Sequence, residues 1–548
     1  MEANVPTDLF HWIAAISSIV LLLVLLVGLR WKSTEAGPVG LFAAIIVSLL
    51  FFRTPLETVT VAVGKGIWDS IFILYVIWPA LLLYVIADRA GAFDSLRIGI
   101  NRFSKNDLFL VLAFGWVFAS FLQGIAGFGV PIAVVAPLLL AIGVKPIFAV
   151  AIPLMGHAWA NMFGTIAVSW LATNQVIDIA DPVATAWQTA VLLWVINIAG
   201  GSAIAWLYGR GRAISHALPM IIIISLIHGG GQLALVFWNP VVSNFISGTI
   251  ALLMLYPLSR WKRYDQMHDE MPVQAMSDVS DKSGAESEKG THDHEPVMGL
   301  GMATFPYIVL TIVTLGALLT PPIEAALGAF EASFPFAEVT TGYDVTREAT
   351  EAYSPFSVFT HPGTFLLVAS IISWVVYRAK GYFKAWARIK EPESIWVGVT
   401  DGAFPASVAV LSFLTMATVF DHSGQTQTLA LGIAAATPPM GYAFAANFVG
   451  LLGAFMTSSN TASNVLFSGL QQNVAQLQNL STSSIIAGQS AGGALGNAIA
   501  PANVVLGTGT TGISGEEGAV LRKTLPLTLA IAVVLGLVTI ILASLGGV

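Results

Sequence analysis

Residues 455–464 read FMTSSNTASN, and residues 121–131 read FLQGIAGFGVP. Both stretches lie among long apolar runs, and neither is good helix material. Residues 123–131 hold three glycines and a proline, while 457–464 is an unbroken run of small, hydroxyl and amide residues. Each unpaired backbone group in hydrocarbon costs on the order of several kcal/mol, so such stretches survive at membrane depth only when buried in protein or lining a watery cavity. A re-entrant hairpin whose tip faces a solute satisfies that demand. Its half-helix ends offer N–H groups to an anion, and unwound carbonyls with Ser, Thr or Asn oxygens suit a small cation. Packing of helices through small residues is the competing explanation. Only every third or fourth residue of a helix faces a given neighbour, so an unbroken run exceeds what packing requires.

The surroundings are lipid. Of 548 residues, 56% are hydrophobic and 10% charged, with a mean hydropathy of +0.78, which excludes an ordinary soluble protein. Apolar runs at 13–29, 71–87, 191–208 and 525–545 approach or exceed the roughly 20 residues that span a bilayer. Cysteine is absent, which rules out disulfides, thiolate metal sites and thiol nucleophiles. The net charge of -7 comes largely from loops and gives no pointer to nucleic acid as a partner. The opening MEANVPTDLFHW carries acids where a secretory signal carries Lys or Arg, so the first span is expected to be retained.

The chain also matches itself. Asp69 and Phe72 recur as Asp401 and Phe404, Asp88 and Gly91 as Asp421 and Gly424, Phe121 as Phe455, and Gly156 and Gly164 as Gly488 and Gly496. The order is kept and the spacing is nearly constant. Lys and Arg mark cytoplasmic loops, and Arg30 and Lys32 follow the first span, which places the N-terminus outside. Arg89, Arg97, Arg102 and Lys105 follow the span from Asp69 to Asp88, whereas Arg378, Lys380, Lys384, Arg388 and Lys390 precede its counterpart from Asp401 to Asp421. Equivalent spans thus run in opposite directions, as an inverted repeat requires. The expectation is an all-α integral membrane protein of about 12–14 transmembrane segments with two inverted-topology repeats and re-entrant hairpins.

Three parts follow: a first transmembrane half over 1–259, a cytoplasmic polar linker over 260–298, and a second transmembrane half over 299–548. Within the second half, 322–360 is expected as an extracytoplasmic acidic loop whose stretch from Glu324 to Glu351 holds one basic residue, Arg347. The HDHE at 292–295 lies in the linker and reads as a solvated charge run, not a metal site. No metal or other cofactor is expected.

Candidate substrate contacts gather at the two irregular stretches: Gln123, Gly127, Phe128 and Gly129 in the first, and Ser458, Ser459, Asn460, Thr461 and Asn464 in the second. The matched segments 156–165 and 488–497 add His157, Asn161, Gln489 and Asn497. His157 titrates near physiological pH, and intramembrane acids are costly and usually functional. His157, Asp401, Asp69 and Asp421 are therefore the proton-coupling candidates, against histidine bonding between helices and acids capping span ends. His228 with Gln232 is a weaker candidate. Nearly all basic residues sit at span ends, which suits a small monovalent anion better than a polyanion.

At these residues the sequence resembles the L-lactate permease family, over nearly its whole length. The block SFLQGIAGFGVPIAVVAPLLLAIGVKPIFAVAIPLMGHAWANMFGT at 120–165 and FMTSSNTASNVLF at 455–467 carry the resemblance. It implies proton-coupled uptake of L-lactate, with D-lactate and glycolate as further 2-hydroxy acids, across a prokaryotic plasma membrane, the proton being preferred to sodium. It also implies membership of the ion transporter superfamily, an elevator motion, and a homodimer as an allowed arrangement. Ser459-Asn460-Thr461 is similar to the hairpin-tip motif of sodium-coupled relatives, whereas the first hairpin carries GIAGFG. An integral-membrane enzyme would need a nucleophile with its base, or metal ligands at helical spacing, and the sequence shows neither HExxH nor a paired-histidine array. A channel and a lactate sensor are the remaining rivals.

Overall fold

The computed structural model describes residues 5–29, 31–101, 104–125, 127, 129–265, 273–276, 295–318, 321–391 and 393–545. Phe128, Arg102 and most of the HDHE stretch fall outside the described residues. Among the described residues, 10 helices are long and apolar enough to cross a membrane, or up to 11 if one bent pair is counted as a span. This is fewer than expected from the apolar runs. In chain order the first half supplies α1 (Leu9–Leu26), α2 (Ser33–Phe51), α3 (Leu56–Arg89), α4 (Asp107–Ile125), the shorter α5 (Val130–Ala141), the bent pair α6 (Pro146–Asn161) and α7 (Gly164–Val176), α8 (Pro182–Val236) and α9 (Pro240–Ser259).

Part of the shortfall lies in α8. A straight helix of 55 residues would be about 80 Å long, far beyond the ~30 Å of hydrocarbon. The chain breaks at Gly209 (φ -155) and Arg210 (φ 59) and doubles back. Trp194 Nε1 donates to Ser225 Oγ at 2.9 Å, so two crossings are folded side by side within one apolar stretch. The remainder lies at the chain breaks, where α5 is too short to cross.

The second half supplies α10 (Phe305–Leu318), then α11 (Pro362–Ala379), α12 (Ile395–Ser423), α13 (Gln425–Ala436), α14 (Pro439–Thr457), α15 (Asn460–Leu477), α16 (Thr482–Gly496), α17 (Pro501–Thr510) and α18 (Glu517–Leu545). Starts correspond between halves: Leu56 with Ile395, Asp107 with Pro439, Val130 with Asn460, Pro146 with Thr482, and Pro182 with Glu517. The counterparts α3 and α12 pack against each other head to tail. Thr418 Oγ1 donates to Ala62 O at 2.9 Å, Trp78 Nε1 to Ser407 Oγ at 3.0 Å, and Arg89 pairs with Glu393. Partner numbers fall as α3 numbers rise, so the two helices are antiparallel.

The innermost helix is α4, whose apolar window is 100% buried, against 33% for α1 and α2. It crosses α6 at bare backbone, since a Cβ on Gly156 would lie 1.8 Å from Gly115 O. The second half repeats the device: a Cβ on Gly492 in α16 would lie 1.8 Å from Asn447 O in α14. Small residues let membrane helices approach this closely. From the linker, Ala275 O accepts from Lys145 N at 2.7 Å, and Gln274 N donates to Tyr208 O at 2.8 Å, the carbonyl just before the α8 break.

The fold is not entirely helical. Within the acidic loop, β1 (Glu331–Phe336) pairs antiparallel with β4 (Thr350–Ser357), and β2 (Val339–Thr340) with β3 (Thr346–Arg347). Aromatic residues on the strands explain why a polar loop orders itself. The ring of Phe334 lies 5.0 Å from that of Trp68 on α3, whose Nε1 donates to Ser354 O at 3.2 Å. Tyr353 OH donates to Asp69 Oδ2 at 2.9 Å, and burial, then the Asp69 charge, pushes this phenol well above its ordinary value. Leaving a buried polar atom without its hydrogen-bond partner costs roughly 1–3 kcal/mol. Tyr353→Phe is therefore expected to speed cleavage of 331–357 by added protease about tenfold, as followed by gel densitometry.

Candidate functional site: two chain breaks on a shared wall

The first break follows from glycine chemistry. Helix α4 stops at Ile125, and α5 starts beyond Gly129, whose φ of 84 is a left-handed value that glycine adopts without steric cost. Pro131 sits in the first turn of α5, where a missing N–H costs nothing. The backbone N–H of Gly127 donates to Thr165 Oγ1 at 2.9 Å, and Thr165 Oγ1 donates to Gln123 O at 3.4 Å. A Cβ on Gly127 would lie 2.6 Å from Thr165 Oγ1 and 2.8 Å from Gln123 Nε2.

The second break follows from hydroxyl chemistry. Helix α14 ends at Thr457, Ser458 turns the chain with φ 56, and Ser459 caps α15 by accepting from Ala462 N at 3.2 Å. A serine at an N-cap satisfies one of the free N–H groups of the new helix. Ser458 Oγ accepts from Ala502 N at 3.1 Å, in the first turn of α17.

Both tips rest on the same bent segment between α6 and α7. The chain leaves α6 through a tight turn, Ala158–Asn161, and then carries three consecutive left-handed residues, Thr165, Ile166 and Ala167, with φ of 50, 51 and 58. Left-handed conformation costs about 1–2 kcal/mol per non-glycine residue, and such strain clusters at functional sites. Thr165 holds the first tip. Four residues on, Ser169 Oγ hydrogen-bonds Thr461 Oγ1 of the second tip at 2.7 Å. Met162 Sδ receives Asn464 Nδ2 at 3.2 Å and Asn460 Nδ2 at 3.7 Å. Helix α17 touches both tips as well, through Ala502 on Ser458 and through Leu506, whose Cδ2 would lie 2.4 Å from a Cβ on Gly129.

Helices α5, α15 and α17 begin at these breaks with their positive dipole ends toward them, while α4, α6, α14 and α16 end there, with closing carbonyls already bonded at Thr457 O by Ser33 Oγ, Gln123 O by Thr165 Oγ1 and Gly493 O by Asn497 Nδ2. N-terminal N–H groups favour an anion without needing Lys or Arg. Asn460 Oδ1 is buried with no hydrogen-bond partner among the described residues and lies 2.3 Å from where a Cβ on Gly493 would sit.

The other candidates divide into two groups. Gln489 is absorbed in a structural network: its Nε2 donates to Ser463 Oγ at 3.2 Å, and its Oε1 accepts from Gln471 Nε2 at 3.0 Å. Asn497, at the end of α16, donates to Gly493 O at 3.1 Å, and Asn161 to Ala158 O at 2.8 Å, so both amides shape their own breaks. His157 is buried where the bend begins and donates Nδ1–H to Pro153 O at 2.6 Å. Behind the first tip, His228 packs edge-on to Trp159 at 4.4 Å, and Gln232 Oε1 accepts from Asn244 Nδ2 at 2.7 Å.

The acids stand apart, on α3 and α12. Asp69 is held by Tyr353, Asp421 by Arg347 at 2.6 Å, and Asp401 is exposed. Sequence reading missed Met162 and Ser169; the available signal was a hydroxyl at 169 in a run of apolar residues just after the glycine-bounded block. A cavity of about 390 Å³ lies beside the tips, lined by α7, α12, α13, α15 and Arg347.

The family profile described as "L-lactate permease" matches residues 11–546. The chain is 27% identical to the L-lactate permease of Escherichia coli (strain K12), covering 94% of this chain and 92% of that one. It is 26% identical to the glycolate permease GlcA of the same organism, over 97% and 95%, and 27% identical to an L-lactate permease of Halalkalibacterium halodurans, over 97% of each. The crystal structure of the Alcanivorax borkumensis YdaH transporter aligns over 89% of this chain and 88% of that one, with 16% identity and a TM-score of 0.45.

Proposed function

The chain belongs to the L-lactate permease family, a family of transporters and not enzymes, and from that premise we propose a secondary active carrier of small 2-hydroxy monocarboxylates. L-lactate is the first substrate, with D-lactate and glycolate beside it, each moving with a proton by alternating access. One observation carries the reading: both broken tips bond to the same bent segment of chain, Gly127 through Thr165 and Thr461 through Ser169. A solute bound there is enclosed by both halves at once. In this proposal the N-termini of α5 and α15 and the amides of Asn460, Asn464 and Gln123 meet the carboxylate, while Ser458, Ser459 and Thr461 serve the hydroxyl.

The antiparallel packing of α3 and α12 supports an inverted repeat, with 1–259 and 299–548 as its halves and 260–298 joining them. The basic loops support an N-terminus outside and a cytoplasmic joining segment in a prokaryotic plasma membrane. His157 is our first choice for the proton, since it sits where the bend begins, and Asp401, Asp69 and Asp421 follow.

Proteoliposomes test the coupling. With an inside-alkaline gradient and no sodium, L-lactate is expected to accumulate above its external concentration, and His157→Gln is expected to abolish accumulation while keeping lactate exchange. Accumulation that ignores the pH gradient and requires sodium would replace this reading with the second one, a sodium-coupled organic-anion symporter. That second reading is favoured by the buried Asn460 Oδ1, which has no hydrogen-bond partner among the described residues and is an oxygen that a bare cation would satisfy.

A further inference from the structure

We propose that the cavity beside the tips is a vestibule that binds a small carboxylate before the tips do, with Arg347 as the capturing cation and Asp421 as a built-in competitor for it. This inference rests on the transport reading above. The position of the cavity is the first argument. Its walls include Ile177 at the end of α7, and Leu466 and Gly469 on α15, so they continue outward the two helices whose inner ends hold Thr165, Ser169, Thr461 and Asn464. Gly469 lies about 7–8 Å along α15 from Asn464. The Ser169–Thr461 hydrogen bond, at 2.7 Å, joins the same two helices farther along. A volume of about 390 Å³ falls within the range of small-molecule sites.

Charge is the second argument. Among the described lining residues Arg347 is the one cation, and Asp421 and Asp178 are the acids. Its Nε reaches Asp421 Oδ2 at 3.0 Å, and its Nη2 reaches Asp421 Oδ1 at 2.6 Å and the Asp421 carbonyl at 2.9 Å. This two-pronged clasp is the geometry a guanidinium prefers for any carboxylate, so a substrate carboxylate and Asp421 are chemically equivalent claimants. The side chains are 28% and 46% exposed, and pairs this open to water add little stability.

The pair is also not needed to fasten the strands. Gly342 N donates to Arg53 O at 3.0 Å, Thr58 Oγ1 to Thr340 O at 3.3 Å, Trp68 Nε1 to Ser354 O at 3.2 Å, and Tyr353 OH to Asp69 Oδ2 at 2.9 Å.

Capture and fastening predict opposite signs for the two partners. The assay is lactate exchange in proteoliposomes without any ion gradient, so that a proton role for Asp421 does not enter. Arg347→Gln is expected to raise the half-saturating L-lactate concentration about fivefold, and Asp421→Asn, which frees the guanidinium, to lower it about threefold, fold-changes fitting a partly exposed charge pair. If both variants reduce the maximal rate alike, or neither moves the half-saturating concentration, the vestibule is overturned.

A second readout keeps this separate from the transport reading. The chain has no cysteine of its own, and a Cβ on Gly469 would meet its nearest neighbours at 3.9 and 4.0 Å, so Gly469→Cys fits. L-lactate is expected to slow its labelling by a membrane-impermeant maleimide, and Arg347→Gln to remove that protection. Protection without any lactate transport would sink the transport reading and leave the vestibule standing. Transport without protection would sink the vestibule alone.

Discussion

Gly492→Ala is expected to reduce folded protein extracted from the membrane about tenfold, measured as the monodisperse fraction after gel filtration in detergent. The added methyl carbon would lie 1.8 Å from Asn447 O, 2.6 Å from its carbonyl carbon and 2.7 Å from its Cα, all backbone atoms that cannot rotate away. The neighbouring contact is of the same kind, with a Cβ on Gly450 meeting Gln489 O at 2.0 Å. Overpacking a tight site costs about 1–3 kcal/mol, occasionally more, and here two helix axes must separate. That is a large share of a total stability of about 5–15 kcal/mol. Intrinsic propensity predicts the opposite sign, since alanine favours a helix over glycine by about 1 kcal/mol. Gly518→Ala, where nothing lies within 4 Å, is the control and is expected to leave the yield unchanged. Equal yields for the two variants would show that α14 and α16 do not cross at backbone contact.

Thr165→Val is expected to lower the uptake efficiency, kcat/KM for L-lactate, by about ten- to a hundredfold while the amount of protein in the membrane stays within about twofold. The substitution keeps the shape and removes the hydroxyl that accepts from Gly127 N at 2.9 Å. A buried N–H left without a partner costs about 1–3 kcal/mol, equivalent to that range of rate or affinity. The cost falls on the conformation in which the first tip lies against the bent segment. Thr165→Ser keeps the hydroxyl and is expected to restore most of the efficiency, which a purely steric role would not grant. Unchanged uptake in Thr165→Val would mean that the tip does not rest on this wall during transport.

The breaks were legible in the sequence because their causes are local. Three glycines and a proline at 123–131 cannot continue a helix in lipid, and the hydroxyl run at 457–464 carries its own cap in Ser459. Helix starts along the two parts of the chain correspond to within about seven residues of the spacing of the matched residues. What could not be read depends on distant partners. Nothing next to Met162 or Ser169 in the chain announces that they meet Asn464 and Thr461, about 300 residues away.

The fold-back of α8 was hidden for another reason. The apolar run at 191–208 stops just before Gly209 and Arg210, and nothing in it announces that the chain doubles back there so that Trp194 meets Ser225. The strands at 331–357 lie in a stretch whose acidity suggests a bare loop, and it is their aromatic residues, packed on Trp68 and Phe72, that order them. Acidic residues drew attention in the sequence because carboxylates are costly in lipid. The structure sets Asp69 and Asp421 between α3, α12 and the strands, each with a partner in the strands, and not at the tips.

The central claim is that the two tips enclose one solute. Single cysteines at Gln123 in the first tip and Asn464 in the second, each in the otherwise cysteine-free chain, measure it through the rate of maleimide labelling against L-lactate concentration. The account predicts protection at both positions with the same half-protecting concentration. Protection at one position only, or at two clearly different concentrations, would contradict it.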